Sequence, residues 1–209
     1  SRGLGDVYKR QHQIRDANGP MLVALAEGLG ADARLLTPLP DDTASLKAAL
    51  LACGDFDILM TSGGVSMGEK DHLPKVLADM GAKILFHRID LRPGKPMLVA
   101  LPGDLLVLGL PGNPVSSYVN ARLFLEVALT RLQGRPWPEP WHQGPLLADL
   151  PNPGSRPLLH PCVLRDGGLE PLRSMGSADL AALAKAEACA WVPPGGAAAG
   201  AAVRWISVI

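Results

Sequence analysis

Thr61-Ser-Gly-Gly-Val-Ser-Met-Gly-Glu-Lys-Asp71 gathers hydroxyls, glycines and two acids, Glu69 and Asp71, into one short stretch. The apolar run 56–60 precedes it and the amphipathic stretch 73–80 follows, so it reads as strand, loop, helix. Such a loop presents bare backbone N–H groups at a helix start, where a phosphate or other oxyanion is favoured. Carboxylates beside an anion cradle suit a ligand that is both a phosphate and a partner for a divalent cation. Taken alone, Gly63, Gly64 and Gly68 are better explained by a tight strand-to-helix turn.

Two further clusters stand downstream. Arg92-Pro-Gly-Lys-Pro96 fixes two cations in a rigid turn, and Arg88 lies just ahead of it. Arginine adds a bidentate fork for oxyanions. Leu110-Pro-Gly-Asn-Pro-Val-Ser-Ser117 ends an apolar run and opens a long helix. Asn113 is its expected N-cap and Pro114 its first helical residue. Ahead of both, Asp41 and Asp42 precede a helical pattern over 42–53, and one of them is expected to cap it.

The elements that must position these groups alternate. Helices are predicted over 18–30, 41–53, 73–81 and 114–132, with Asn18 as the first N-cap. Strands are predicted over 33–39, 56–61, 82–91, 97–101 and 105–110. Alternation implies an α/β fold with a largely parallel sheet, whose ligand site lies at the carboxyl ends of the strands. The Pro-rich segment 133–141 then breaks the pattern. Beyond it a hairpin (158–164 and 169–173), a short helix (177–185) and a final strand (202–209) predict a small β-rich domain.

Composition narrows the partners. The chain has 209 residues with 20 Lys+Arg against 20 Asp+Glu, so there is no basic excess for nucleic acid. No apolar run reaches membrane-spanning length, and no signal peptide opens the sequence. Cys53, Cys162 and Cys189 are scattered, which fits idle thiols in a reducing cytosol better than a disulfide framework or a zinc site. Residues 1–11 fit no element and read as a non-native or disordered segment, such as a scar of sequencing or assembly.

The three ordered motifs resemble those of the molybdopterin molybdenumtransferases, the family of bacterial MoeA and the gephyrin E domain. Ile14-Arg-Asp-Ala-Asn18 and Pro40-Asp-Asp42 add weaker matches. The resemblance implies a three-layer molybdopterin-binding α/β domain over 12–134 with a mostly parallel sheet. A small β-barrel-like C-terminal domain follows over 135–209. It also implies a cytoplasmic homodimer that inserts molybdate into adenylylated molybdopterin with magnesium's help and releases AMP, and a possible contact with the molybdopterin adenylyltransferase.

Under that resemblance Asp71, Asp41 and Lys95 are the catalytic candidates, and Asp71, Asp41 and Glu69 the magnesium ligands. The substrate contacts are Thr61, Ser62, Gly63, Gly64, Ser66, Gly68, Arg88, Arg92, Pro93 and Gly94 on the first two motifs. Pro111, Gly112, Asn113, Pro114 and Ser116 serve on the third, and Ser177 comes from the second domain. Ser177 is equally well read as a helix N-cap. Two departures stand out. The family's opening strand, ending in Ser-Thr-Gly-Asp-Glu-Leu, has no counterpart before Ile14, so the sheet lacks a strand and the site an acid. Pro161 stands where the family often has an arginine, which moves that anion contact to Arg156 or Arg165. The alternatives are a catalytically incomplete or scaffolding module that only binds molybdopterin, or a MogA-type adenylyltransferase. Glu69-Lys-Asp71 and the second domain argue against the last.

Overall fold

The computed structural model describes residues 16–65, 71–136 and 139–208. In chain order these form α1 (Asn18–Gly28), α2 (Thr43–Ala52), β1 (Ile58–Ser62), α3 (His72–Asp79), β2 (Lys83–His87), β3 (Leu98–Leu101), β4 (Leu106–Leu110) and α4 (Pro114–Leu132). The second half adds β5 (His142–Pro145), β6 (Leu158–Arg165), β7 (Gly168–Pro171), α5 (Leu180–Leu183), β8 (Ala188–Val192) and β9 (Ala202–Ser207).

The first sheet has the order β1-β4-β3-β2. Residue period two splits its side chains between two cores. Leu98, Ala100 and Val107 pack under α2 and α3 with Leu50, Val76 and Leu77. Val99, Leu108 and Leu110 pack under α1 and α4 with Leu22, Leu25, Val119 and Leu125. Fully burying a side chain such as Leu77 or Leu108 contributes roughly 1.5–3 kcal/mol. These two faces make the expected three layers.

The sheet itself is mixed rather than mostly parallel. β1 and β4 run parallel, whereas β2–β3 and β3–β4 are antiparallel. The reason lies in the connections: only residues 102–105 separate β3 from β4, too few for a crossover, so the chain must fold back as a hairpin. The strand expected over 33–39 is absent. That segment is irregular and unpaired, with Leu35, Leu36 and Leu39 exposed, and among the described residues no neighbouring strand offers it a ladder.

The second sheet has the order β5-β9-β8-β6-β7, antiparallel throughout. It curls until its two edges meet: Leu146 bridges Leu169, and the Leu147 N–H donates to the Leu169 carbonyl at 2.8 Å. Gly168, at φ +154°, lets β7 approach β5, because a Cβ there would strike the Pro145 carbonyl. Leu146, Cys162, Leu169, Ala188, Val192 and Val203 fill the interior. All three cysteines are buried and free. Burial pushes the Cys162 thiol up to about 11 and Cys189 up to about 12, so both stay protonated and inert.

The two lobes share a core. Leu159, Leu183, Cys189 and Ile206 of the second lobe belong to the α1/α4 cluster of the first. Arg122 of α4, 4% exposed, donates to the Ser207 carbonyl and hydroxyl and pairs with Glu126 one turn on. The linker 133–141 therefore joins two lobes that are packed against each other.

Candidate functional site

β1 and β4 are neighbouring parallel strands in register from Ile58↔Leu106 to Ser62↔Leu110, so both loops leave the sheet at one edge. That is where a topological argument places a ligand. After β1 the chain turns through Gly63 (φ +88°) and Gly64 (φ +69°), a backbone path open to glycine. The Gly63 N–H donates to the Leu110 carbonyl at 2.9 Å, which ties the first loop to the end of β4. Asn18 ties them again: its Nδ2 donates to Ser62 Oγ at 2.6 Å and to the Gly112 carbonyl at 2.8 Å.

Asn18 is thus not the cap expected of it. Asp16 caps α1 by accepting from the Asn18 and Gly19 N–H groups at 3.1 and 3.0 Å, which releases the Asn18 carboxamide to bridge the loops. The Ser62 hydroxyl is engaged as well, accepting from Asn18 and lying 3.4 Å from the Pro111 carbonyl it donates to. Among the described residues Thr61 Oγ1 and Asn18 Oδ1 are buried without hydrogen-bond partners, both beside this junction. Orphaned buried polar atoms are uncommon, and two at one junction are sites that an ordered water or a ligand group can satisfy. Ser66, Gly68 and Glu69 lie outside the described residues.

Arg88 and Lys95 lie on the segment that follows β2, whose end meets the Gly-rich loop. His87, at the end of β2, bonds through Nε2 to the Val65 carbonyl at 2.9 Å, so the Gly-rich loop and β2 meet. Arg88 follows at once, exposed and held at φ +81° by its N–H bond to the Met97 carbonyl. A left-handed arginine is costly and persists only where its surroundings impose it. Lys95 is exposed too, and its carbonyl accepts from Ile89 N–H at 3.0 Å. Among the described residues neither the Arg88 guanidinium nor the Lys95 ammonium has a hydrogen-bond or ion-pair partner.

Arg92 differs from that pair. Its peptide bond to Pro93 is cis, and its guanidinium turns to the second lobe, donating to Asn152 Oδ1 at 3.2 Å. Its N–H and carbonyl also bond to Pro157 and Leu159. Arg92 is a seam residue, with Gly94 buried beside it. Arg156 leans on the Leu91 carbonyl at 3.1 Å in the same seam, while Arg165 is paired with Glu170 across the far hairpin.

The acids differ in what they face. Asp42 caps α2, accepting from Ser45 N–H at 2.8 Å and Ser45 Oγ at 2.7 Å, and these bonds hold its carboxyl below the usual range. Asp41 is left exposed, 3.8 Å from His72 Nε2 at the start of α3. Asp71 occupies the N-cap position of α3 without a capping side-chain bond. Asp41 and the Asp71–His72 turn are thus neighbours, although 30 residues apart in the chain. Among the described residues no group of three or more His, Cys, Asp or Glu could hold a metal.

The second lobe reaches into the site at Ser177. Its hydroxyl accepts from Asn113 Nδ2 at 2.9 Å, and its carbonyl accepts from the Val115 N–H at 3.0 Å. Asn113 occupies the N-cap position of α4, but its side chain makes no capping bond, because the carboxamide is turned to Ser177. One donor expected to face an anion is therefore taken within the protein. Ser177 is no helix cap either; Asp179 caps α5 by accepting from Ala182 N–H at 3.0 Å. Ser116, 4% exposed, is buried in the first turn of α4. Sequence reading missed Asn18 as a bridge, and it missed Asn120 and Asn152. Asn152 is 1% exposed and donates to the carbonyls of Arg156, Val192 and Pro193. A buried carboxamide is the only signal these residues carry, and its partners are visible only in the fold.

Residues 4–131 match the family described as "Probable molybdopterin binding domain", and residues 143–208 match "MoeA C-terminal region (domain IV)". A molybdopterin molybdenumtransferase from Synechococcus elongatus is 38% identical over 121 residues, 56% of this chain and 30% of that protein. One from Staphylococcus aureus is 36% identical over 123 residues, 58% of this chain and 29% of that protein. The crystal structure of the molybdopterin biosynthesis MoeA protein from Pyrococcus horikosii superposes with a TM-score of 0.80 at 25% identity, covering 96% of this chain and 50% of that one. The chain thus spans about half the length of that structure, and its matches span less than a third of the two curated relatives.

Proposed function

This chain belongs to the MoeA family of molybdopterin-binding proteins, corresponding to its C-terminal portion, and from that premise we propose that it serves molybdenum cofactor biosynthesis. The reaction proposed is insertion of molybdate into adenylylated molybdopterin with release of AMP. The observation that carries this reading is the junction of the two loops at the parallel β1/β4 edge, linked through the His87–Val65 bond to the segment 88–96 that carries Arg88 and Lys95, neither of them paired among the described residues. A polyanionic nucleotide–pterin needs such a combination of backbone donors and fixed cations.

In this reading the Gly64 N–H contributes to the phosphate cradle, the Gly63 N–H being held by the Leu110 carbonyl, and Arg88 and Lys95 hold molybdate or the pyrophosphate link. Asp41 and Asp71 are hard oxygen donors of the kind a magnesium ion takes beside phosphate oxygens and water, and an ion bound there would neutralise charge developing on phosphate. Water attack on the AMP phosphorus breaks the phosphoanhydride, and the terminal phosphate leaves with the pterin. Ser177 brings the second lobe to the same edge. The homodimer, the contact with the adenylyltransferase and the cytoplasmic setting belong to the same proposal. They rest on the family resemblance, with three free thiols in keeping with a reducing compartment.

The test supplies adenylylated molybdopterin, magnesium and molybdate to the chain and follows AMP. Release is expected, slowed roughly 100-fold by Asp71→Asn. Pterin binding without AMP release would replace the insertase reading with that of a binding module.

A further inference from the structure

Asn120 sits in the interior of α4, fully buried, with Val119 and Ala121 buried on either side. A carboxamide is a poor choice for such a place unless its polar atoms are used. Its Nδ2 donates to the Gly94 carbonyl at 2.9 Å. Among the described residues its Oδ1 has no hydrogen-bond partner, and it lies against Gly94 itself, so close that a Cβ on Gly94 would strike it. Gly94 is held at φ +120°, a conformation that side-chain-bearing residues rarely adopt. The carboxamide therefore grips the turn by both a hydrogen bond and shape.

The rest of the turn is gripped from other directions. Arg92 N–H and carbonyl bond to Pro157 and Leu159 of the second lobe, and the Lys95 carbonyl accepts from Ile89. Lys95 follows Gly94 directly and carries its ammonium on that fixed backbone. We propose that Asn120 is a positioning residue, holding residues 92–96 so that Lys95 is preset for an oxyanion ligand. The inference rests on the reading of Lys95 as an anion contact. Preorganisation matters here because an ordered cation spends less entropy on binding.

The test uses the whole chain, orthomolybdate as the probe, and the variants Asn120→Ala, Asn120→Ser and Lys95→Ala. Without ligand, amide exchange at Ile89, whose N–H reports the Lys95 carbonyl, should accelerate at least ~10-fold in Asn120→Ala. The Leu106 amide, bonded to Asp57 outside the turn, should keep its rate. The Kd for orthomolybdate should rise about 10-fold in Asn120→Ala, and Asn120→Ser, which keeps a donor on a shorter arm, should recover part of both effects. A lower Tm with unchanged Ile89 exchange and unchanged Kd would reduce Asn120 to a packing residue and overturn the inference. If Asn120→Ala does not fold, Asn120→Ser decides the matter by the same two readouts. Lys95→Ala separates the layers. Weaker binding in Lys95→Ala with wild-type binding in the Asn120 variants overturns only the positioning role. Unchanged binding in Lys95→Ala overturns the anion reading of Lys95, and the role assigned to Asn120 falls with it.

Discussion

Asp41 and Asp42 are adjacent acids with divergent fates, and the difference is a matter of hydrogen-bond geometry. Asp42 faces the Ser45 N–H and hydroxyl, so its ionised form is held in the folded state. Its folded pKa lies below that of an ordinary aspartate. The contribution is therefore fully present above the unfolded pKa and is lost as pH falls through the folded one. Asp42→Asn is expected to lower Tm at pH 7, with the gap to wild type closing below about pH 4. Thermal melts across that range check it, and a gap independent of pH would show that the charge is irrelevant to the cap. At this scale the motifs were readable because backbone chemistry is local: Gly-Gly, Pro-Gly-Lys and Pro-Gly-Asn each announce a turn. The three bridging asparagines were not. Asn18 meets Gly112 94 residues away, Asn120 meets Gly94 26 away and Asn152 meets Val192 40 away, and no local pattern encodes such partners.

At the scale of elements, turns decide what helices and strands present. Gly94→Ala puts a methyl into Asn120 and forces an L-residue to φ +120°. Strain of this kind costs about 1–3 kcal/mol before the clash is counted, so the variant should lose at least ~2 kcal/mol in denaturant unfolding. Wild-type stability would mean the turn relaxes without resistance. Helix limits at α1, α3 and α4 were legible because apolar period and Pro or Gly punctuation agree there. The strand expected over 33–39 failed for a physical reason: a strand is defined by its neighbour, and residue pattern alone cannot supply one. The mixed sheet was implicit in the short turn between β3 and β4, but the α/β alternation suggested parallel order more strongly.

At the scale of the whole molecule, one core runs through both lobes. All four tryptophans, Trp137, Trp141, Trp191 and Trp205, lie beyond residue 135, so their fluorescence reports the second half of the chain. Far-UV circular dichroism reports mainly α1–α4 of the first. The shared core predicts coincident transitions by the two probes. Arg122→Ala should cost about 3 kcal/mol, since it strands Glu126 and the Ser207 groups in a partly buried seam. Separated transitions in wild type would show that the lobes fold independently. The linker over 133–141 was legible as a break in pattern, but the packing across it was not, because the seam is made by residues such as Arg92, Arg122 and Asn152 whose partners lie in the other half.

The central claim is that the two loops at the β1/β4 edge, with residues 88–96 beside them, bind adenylylated molybdopterin. The most direct measurement is hydrogen exchange of the chain with and without that ligand. Protection is predicted at 61–65, 88–96 and 111–115, with the far hairpin 163–170 unchanged. Protection confined to the second lobe, or none at saturating ligand, would contradict the account.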